Sequence, residues 1–548
     1  MRDGWLRRRF GGVVLALSLL LPGSLAAPAP AFAETTGGDA AFVAAMEREL
    51  GLRRTAAAGD PLTTQVARSY ASRGYAPLWT DDDGGLNRTR HVLDVLQAAD
   101  DEGLSPATYD VARIGQLMDD GRPAARAELE WAVSRAYVGY AGDVYAGRFN
   151  PRTLDNEHHH RPRRVSPRTL LEAAASDPNP AGLLRTLPPR SPDYTALRTL
   201  LADLRAEAAR GVRWVSVPPG ETLKPGMQDA RVIALRARLT QSGDYDASLP
   251  PPDGAETYDL LLAAAVKRFQ AHHGLLVDGV VGAGTLAALN RPISARIDQV
   301  MANMERLRWM PRDLGARHIS VNLAAYRLEL VEDGTVVHTA PVVVGDLDNR
   351  TPVFSKLMQY LEFNPYWNVP HSIATEELLP EIQADPGYLQ AHNYKVLSGN
   401  QVVNASAIDW SAMSQGHFPY RLRQEPGDDN ALGRVKFMFP NDHAIYLHDT
   451  PSKSLFGRSQ RAFSHGCIRV HDPFALAEAL LRRQGYDRAR LNSIVASDKR
   501  TVVHLHEPIP VHLTYITTFV DEVGQPHFLE DIYGRDAALS RALAGRRS

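Results

Sequence analysis

Cys467 is the one cysteine among the 548 residues, so it has no internal disulfide partner and can serve as a nucleophile. It stands in Ser464-His465-Gly466-Cys467-Ile468-Arg469, downstream of a second histidine in Ala444-Ile445-Tyr446-Leu447-His448-Asp449. A thiol with a free pKa near ~8.5 is mostly protonated at neutral pH, so attack needs a base or a positive potential beside it. His448 is the expected partner, because the apolar run before it reads as a strand that ends at the histidine and presents it at a sheet edge. His465, on the same turn as the thiol, is expected to shape that turn or balance its charge. Gly466 admits close backbone approach, and the N–H groups of Gly466 and Cys467 are expected to face a developing oxyanion. A buried structural cysteine is the ordinary fate of a free thiol, but glycine and two histidines around it argue for chemistry.

The elements that must position these residues change character along the chain. From about Arg317 the apolar period is two, in Ile319–Leu323, Tyr326–Val331 and Thr339–Gly345. Asp333-Gly334 between the last two is a hairpin signal. A β-rich domain is expected over 317–500, interrupted at about 371–432 by a mixed segment that could cover the site. Phe474–Leu481 reads as a helix after the catalytic turn, and Val511–Val520 as a final strand within a C-terminal segment 501–548. Residues 221–292 form a separate unit with amphipathic helices marked by Val232, Leu235, Leu239 and by Leu261, Ala265, Val266, Phe269. Its glycines at 279, 282 and 284 lack the preceding strand and acidic partner of a dinucleotide loop. Residues 34–218 carry apolar residues at helical spacing, such as Leu86, Val92, Leu93, Val95 and Leu96. His158, His159 and His160 point in diverging directions and read as a solvated loop beside Arg161, Arg163 and Arg164, with no metal site expected. The fold class is therefore multidomain α+β.

Lys and Arg total 61 against 63 Asp and Glu, a balance that gives no reason to expect nucleic-acid binding. Arg2, Arg7, Arg8 and Arg9 precede the apolar run Val13–Leu21, and Ala31-Phe32-Ala33 offers a cleavage site. Residues 1–33 thus read as a signal peptide and the protein as exported, by the general or the twin-arginine route.

His448 followed by the Ser-His-Gly-Cys turn resembles the signature of bacterial L,D-transpeptidases. Asn303–Pro311, Phe363–Pro370 and Lys436–Asn441 resemble the large, multidomain branch, as does Arg469 where small members carry asparagine. Val266–Leu286 is similar to a three-helix peptidoglycan-binding domain, and Tyr75–Trp79 with Glu102–Pro106 resembles the branch's helical scaffold. The resemblance implies a β-rich catalytic domain with a capping insertion, no cofactor, peptidoglycan stem peptides as substrates in the periplasm or cell wall, and carbapenems as inhibitors. It implies 3-3 cross-linking: Cys467 acylated by a tetrapeptide with loss of D-alanine, then an amine of a second stem as acceptor. Asp449 would orient His448 through its carbonyl, Tyr446 would line the oxyanion side, and Arg469 would meet a carboxylate or brace the turn. Water as the acceptor and a silent wall-binding scaffold are the alternatives.

Overall fold

The computed structural model describes residues 40–56, 61–80, 85–248, 253–385 and 387–545. The signal expected over 1–33 lies outside them. Among the described residues no helix is long and apolar enough to cross a membrane.

The period-two runs form strands β1 (Arg317–Asn322), β2 (Arg327–Glu332), β3 (Thr335–Gly345) and β4 (Ser355–Phe363). The turn between β2 and β3 holds Asp333 at φ 50° and Gly334 at φ 79°, the left-handed pair that a tight hairpin needs. The interrupting segment contributes β5 (Trp367–Asn368), β6 (Tyr394–Ser398), β7 (Gln401–Val403) and β8 (Arg421–Gln424). The main sheet resumes with β9 (Val435–Met438), β10 (Leu447–His448), β11 (Ala462–Ser464), β12 (Ile468–Val470) and β13 (Thr501–Thr514). Nine strands run in the order β11-β3-β12-β10-β9-β4-β13-β1-β2, and β3 also pairs with β2. All of them except β11 therefore close into a ring. Val321, Leu328, Leu361, Phe437, Leu447, Ile468 and Leu513 fill its interior, each contributing about 1.5–3 kcal/mol on burial.

Two expectations change here. His448 lies not at a sheet edge but between β9 and β12, because ring closure leaves β10 with neighbours on both sides. The C-terminal segment is not an appendage to a domain ending at 500: β13 starts at Thr501 and sits inside the ring between β1 and β4. It ends at Thr514, and Thr518–Val520 instead pairs as β14 with β15 (Pro526–Phe528).

The insertion has its own sheet, β5-β8-β6-β7, and its own apolar core including Ile382, Leu389, Trp410 and Phe418. The helix after the cysteine runs Pro473–Leu481, and its Leu476, Leu480 and Leu481 pack on the ring.

Upstream, the region expected to be helical is helical. Its longest helix, Pro123–Ala146, buries Trp131, Val133, Tyr137 and Val138. Glu130 on that helix accepts hydrogen bonds from the backbone of Leu78, Trp79 and Thr80 and from the Tyr70 hydroxyl, so a buried carboxylate is satisfied by the 78–80 backbone and Tyr70. The Ile293–Trp309 helix packs with Pro192–Ala209 and the C-terminal Arg535–Gly545 helix in one core. Its Glu305 accepts from the backbone N–H of Arg148, which ties the scaffold to this helix.

The His158–His160 run is not a solvated loop. His158 and His160 are buried, His158 bridges to Val353 beside β4, and the His158 and Trp309 rings meet at 5.0 Å. The neighbouring arginines fill the solvent-facing positions, which is what the composition around the run reflected. The described residues of the unit at 221–292 contain three helices, Arg231–Gln241, Leu260–His272 and Ala283–Leu289. Val217 belongs to its core, and Leu262 is buried while the expected Leu261 is exposed. His273 of this unit stacks near Phe528 on β15.

Candidate active site

The site is an outer-face row across adjacent strands. Glu362 on β4 pairs with Lys436 on β9, Lys436 with His448 on β10, and His448 with Arg469 on β12. Side chains alternate along a strand, so Leu447, Phe437 and Ile468 point into the ring while these four share the other face. Tyr446 and Cys467, each two residues before His448 and Arg469, fall on that same face. The register therefore gathers Tyr446, His448, Cys467 and Arg469 beside Lys436.

Cys467 is half-buried, and its thiol donates to the carbonyl of Ala444 at 3.6 Å. Ala444 adopts φ 56°, held by Asn441, whose side chain takes the N–H of Ile445 and donates to its carbonyl at 2.7 Å. Burial pushes the thiol pKa up. The Tyr446 N–H and hydroxyl, the Lys436 ammonium and the Arg469 guanidinium offset only part of that rise, so the thiol pKa stays raised. Lys436 also lies 3.9 Å from the centre of the Tyr446 ring.

His448 is fully enclosed. Burial, then the charges of Arg469 and Lys436, lower its pKa to about 3, so at neutral pH it is an uncharged imidazole. Its Nδ1–H donates to the Asp449 carbonyl at 2.5 Å, leaving Nε2 as the acceptor. The Asp449 carboxylate points elsewhere, accepting from the N–H of Arg434 at 2.9 Å and Thr450 at 2.7 Å and from Lys453. Gly433, at φ 61°, leaves room for that carboxylate: a Cβ there would stand 2.3 Å from Asp449 Oδ2. Among the described residues no hydrogen bond joins Cys467 to His448.

The turn itself is braced by Ser464, whose hydroxyl donates to the Cys467 carbonyl at 2.5 Å and accepts from the Gly466 N–H at 3.2 Å. The Gly466 N–H is thus engaged within the turn. Gly466 adopts φ 101°, and its carbonyl accepts from Thr351 Oγ1 at 2.8 Å. His465 is exposed and pairs with Glu377 of the insertion at 2.7 Å, so the insertion reaches the turn that carries Cys467. The Arg469 Nε is buried with no hydrogen-bond partner. Lys436 was missed at the sequence level, although the alternation of Lys436 with the apolar Phe437 places it on the outer face. No group of three metal-ligating side chains occurs among the described residues.

Three family models match: a scaffold domain at residues 64–201, a domain described as "Putative peptidoglycan binding domain" at 228–289, and the L,D-transpeptidase catalytic domain at 316–503. A Haemophilus influenzae protein named "Putative L,D-transpeptidase" is 40% identical over 250 residues, 45% of this chain and 50% of that protein. The N-acetylmuramoyl-L-alanine amidase CwlM of Mycobacterium tuberculosis is 40% identical over 75 residues, 13% of this chain and 18% of its own length. The chain thus spans half or less of the length of these relatives. Solved L,D-transpeptidases from Xylanimonas cellulosilytica (18% identity, 54% of this chain, 98% of that one, TM-score 0.17) and Stackebrandtia nassauensis (12%, 54%, 95%, TM-score 0.21) are similar too weakly to carry weight. Residues 316–503 belong to the L,D-transpeptidase family, joined in one chain to a scaffold domain and a peptidoglycan-binding domain.

Proposed function

We propose that the protein is a cysteine-dependent L,D-transpeptidase that forms 3-3 cross-links in peptidoglycan after export to the periplasm or cell wall. The observation that carries this is the outer-face row: a half-buried thiol, two cations and a neutral histidine on adjacent strands. On substrate binding, His448 Nε2 takes the Cys467 proton, and the thiolate, steadied by Lys436 and Arg469, attacks the carbonyl linking the third and fourth residues of a tetrapeptide stem. The S–C bond forms as the oxyanion develops near the Tyr446 hydroxyl. Collapse breaks the C–N bond, and the His448 imidazolium returns the proton to the departing D-alanine amine. An amine of a second stem then attacks the thioester, His448 takes its proton, and Cys467 leaves as the reprotonated thiol.

The insertion, held to the turn through Glu377 and His465, serves as a cap that excludes water from the thioester. The unit at 221–292 raises the local concentration of wall polymer. Water as acceptor would give a carboxypeptidase from the same acyl-enzyme. Incubation with a disaccharide tetrapeptide and mass analysis of products separates the readings: a cross-linked dimer with equimolar D-alanine supports transfer, whereas tripeptide alone supports hydrolysis and no product at all a silent scaffold.

A further inference from the structure

A cavity of about 200 Å³ lies where scaffold, the Ile293–Trp309 helix, the loop after β3 and the C-terminal helix meet. Arg535, His158 and Trp309 line it, and each is buried with polar atoms that have no hydrogen-bond partner: Nη1 and Nη2 of Arg535, Nδ1 of His158 and Nε1 of Trp309. Arg535 is only 7% exposed. Its Nε faces the Asp155 carboxylate at 2.6 Å, and its guanidinium lies between the rings of Tyr515 and Tyr533 at 4.9 and 4.8 Å. Arg306 and Arg350 line the same cavity; Arg306 is paired with Asp536. Buried donors left unpaired are costly, and a guanidinium edge with free N–H groups matches two oxygens of one anion.

The cavity is joined to the catalytic turn. Arg350 donates to the Tyr533 carbonyl at 3.1 Å, the Tyr533 hydroxyl donates to the Gly345 carbonyl at 2.6 Å, and Thr351, next to Arg350, holds the Gly466 carbonyl. We propose that this cavity binds a small oxyanion, phosphate or carboxylate, on Arg535, and that its occupancy is transmitted through Tyr533 and Thr351 to the turn that carries Cys467.

The test uses the full chain, with inorganic phosphate and acetate titrated calorimetrically against sodium chloride of matched ionic strength. Saturable binding of at least one anion is expected, and which one binds identifies a phosphate or a carboxylate source. Arg535→Gln should weaken it by about tenfold or more. Arg350→Gln, at an exposed position that does not threaten folding, should weaken it by several-fold. Cys467 alkylation in the wild type should change about fivefold or more at anion saturation and stay constant in Arg535→Gln. No binding beyond the chloride control, leaving ordered water only, overturns the site, as does wild-type binding in both variants. Binding without any change in alkylation overturns the transmission.

Discussion

His448 and His160 have the same electrostatic character and opposite surroundings. Each is buried on the β-rich domain or at its margin, and burial lowers the pKa of each to about 3. His160 sits in a relay: its Nε2 meets Ser355 Oγ at 2.9 Å, Ser355 meets His512 Nδ1 at 2.8 Å, and His512 Nε2 donates to the Leu314 carbonyl at 2.9 Å. That relay joins the scaffold to β4 and β13, with only Nδ1 of His160 left without a hydrogen-bond partner. His448 instead shares its sheet face with a half-buried thiol and two cations. A perturbed pKa therefore marks enclosure, and the neighbouring thiol is what sets His448 apart from His160.

The sharpest way to break the comparison is to remove the thiol. Cys467→Ala should lower product formation by about 10⁴-fold or more, while unfolding free energy changes by no more than ~1 kcal/mol; calorimetry beside product analysis checks both. Next come the two histidines. His448→Ala should cost about 10²–10⁴ in rate. His160→Ala should cost about 1–3 kcal/mol of stability by leaving Ser355 and His512 unpaired, with near-normal activity per folded molecule. If His160→Ala silences a folded enzyme, the distinction fails.

How much of this contrast was legible beforehand depends on what each feature rests on. The Cys467 turn, the strand ending at His448 and the Asp333-Gly334 hairpin are local, written in residue types and a period of two. The enclosure of His158–His160 depends on Val353, Ser355 and His512, far away in sequence, and its arginine-rich neighbours reported only their own exposure. Lys436 became visible once register set it opposite His448. The Ile293–Trp309 helix buries Arg306, Arg308 and Glu305, so apolar periodicity gave no sign of its central position.

Acid should treat the two histidines alike. Both have folded pKa values below the ordinary 6.5, so the unfolded chain binds protons that the folded chain refuses. Their contribution to stability is complete above about pH 6.5 and is lost as pH falls toward about 3. Denaturant titrations between these limits should show a shallower pH dependence in His160→Gln and in His448→Gln than in the wild type. The smallest effect is expected from Lys436→Met, which removes one of two cations near the thiol and should slow alkylation of Cys467 at neutral pH by up to about tenfold.

The central claim, that Cys467 is the acylated residue, is tested most directly by rapid acid quench of the enzyme with disaccharide tetrapeptide, followed by intact-mass and peptide mapping. The account predicts a transient adduct equal to the substrate less D-alanine, located on Cys467 and absent in Cys467→Ala. Product formation with no such adduct, or an adduct that persists in Cys467→Ala, would contradict it.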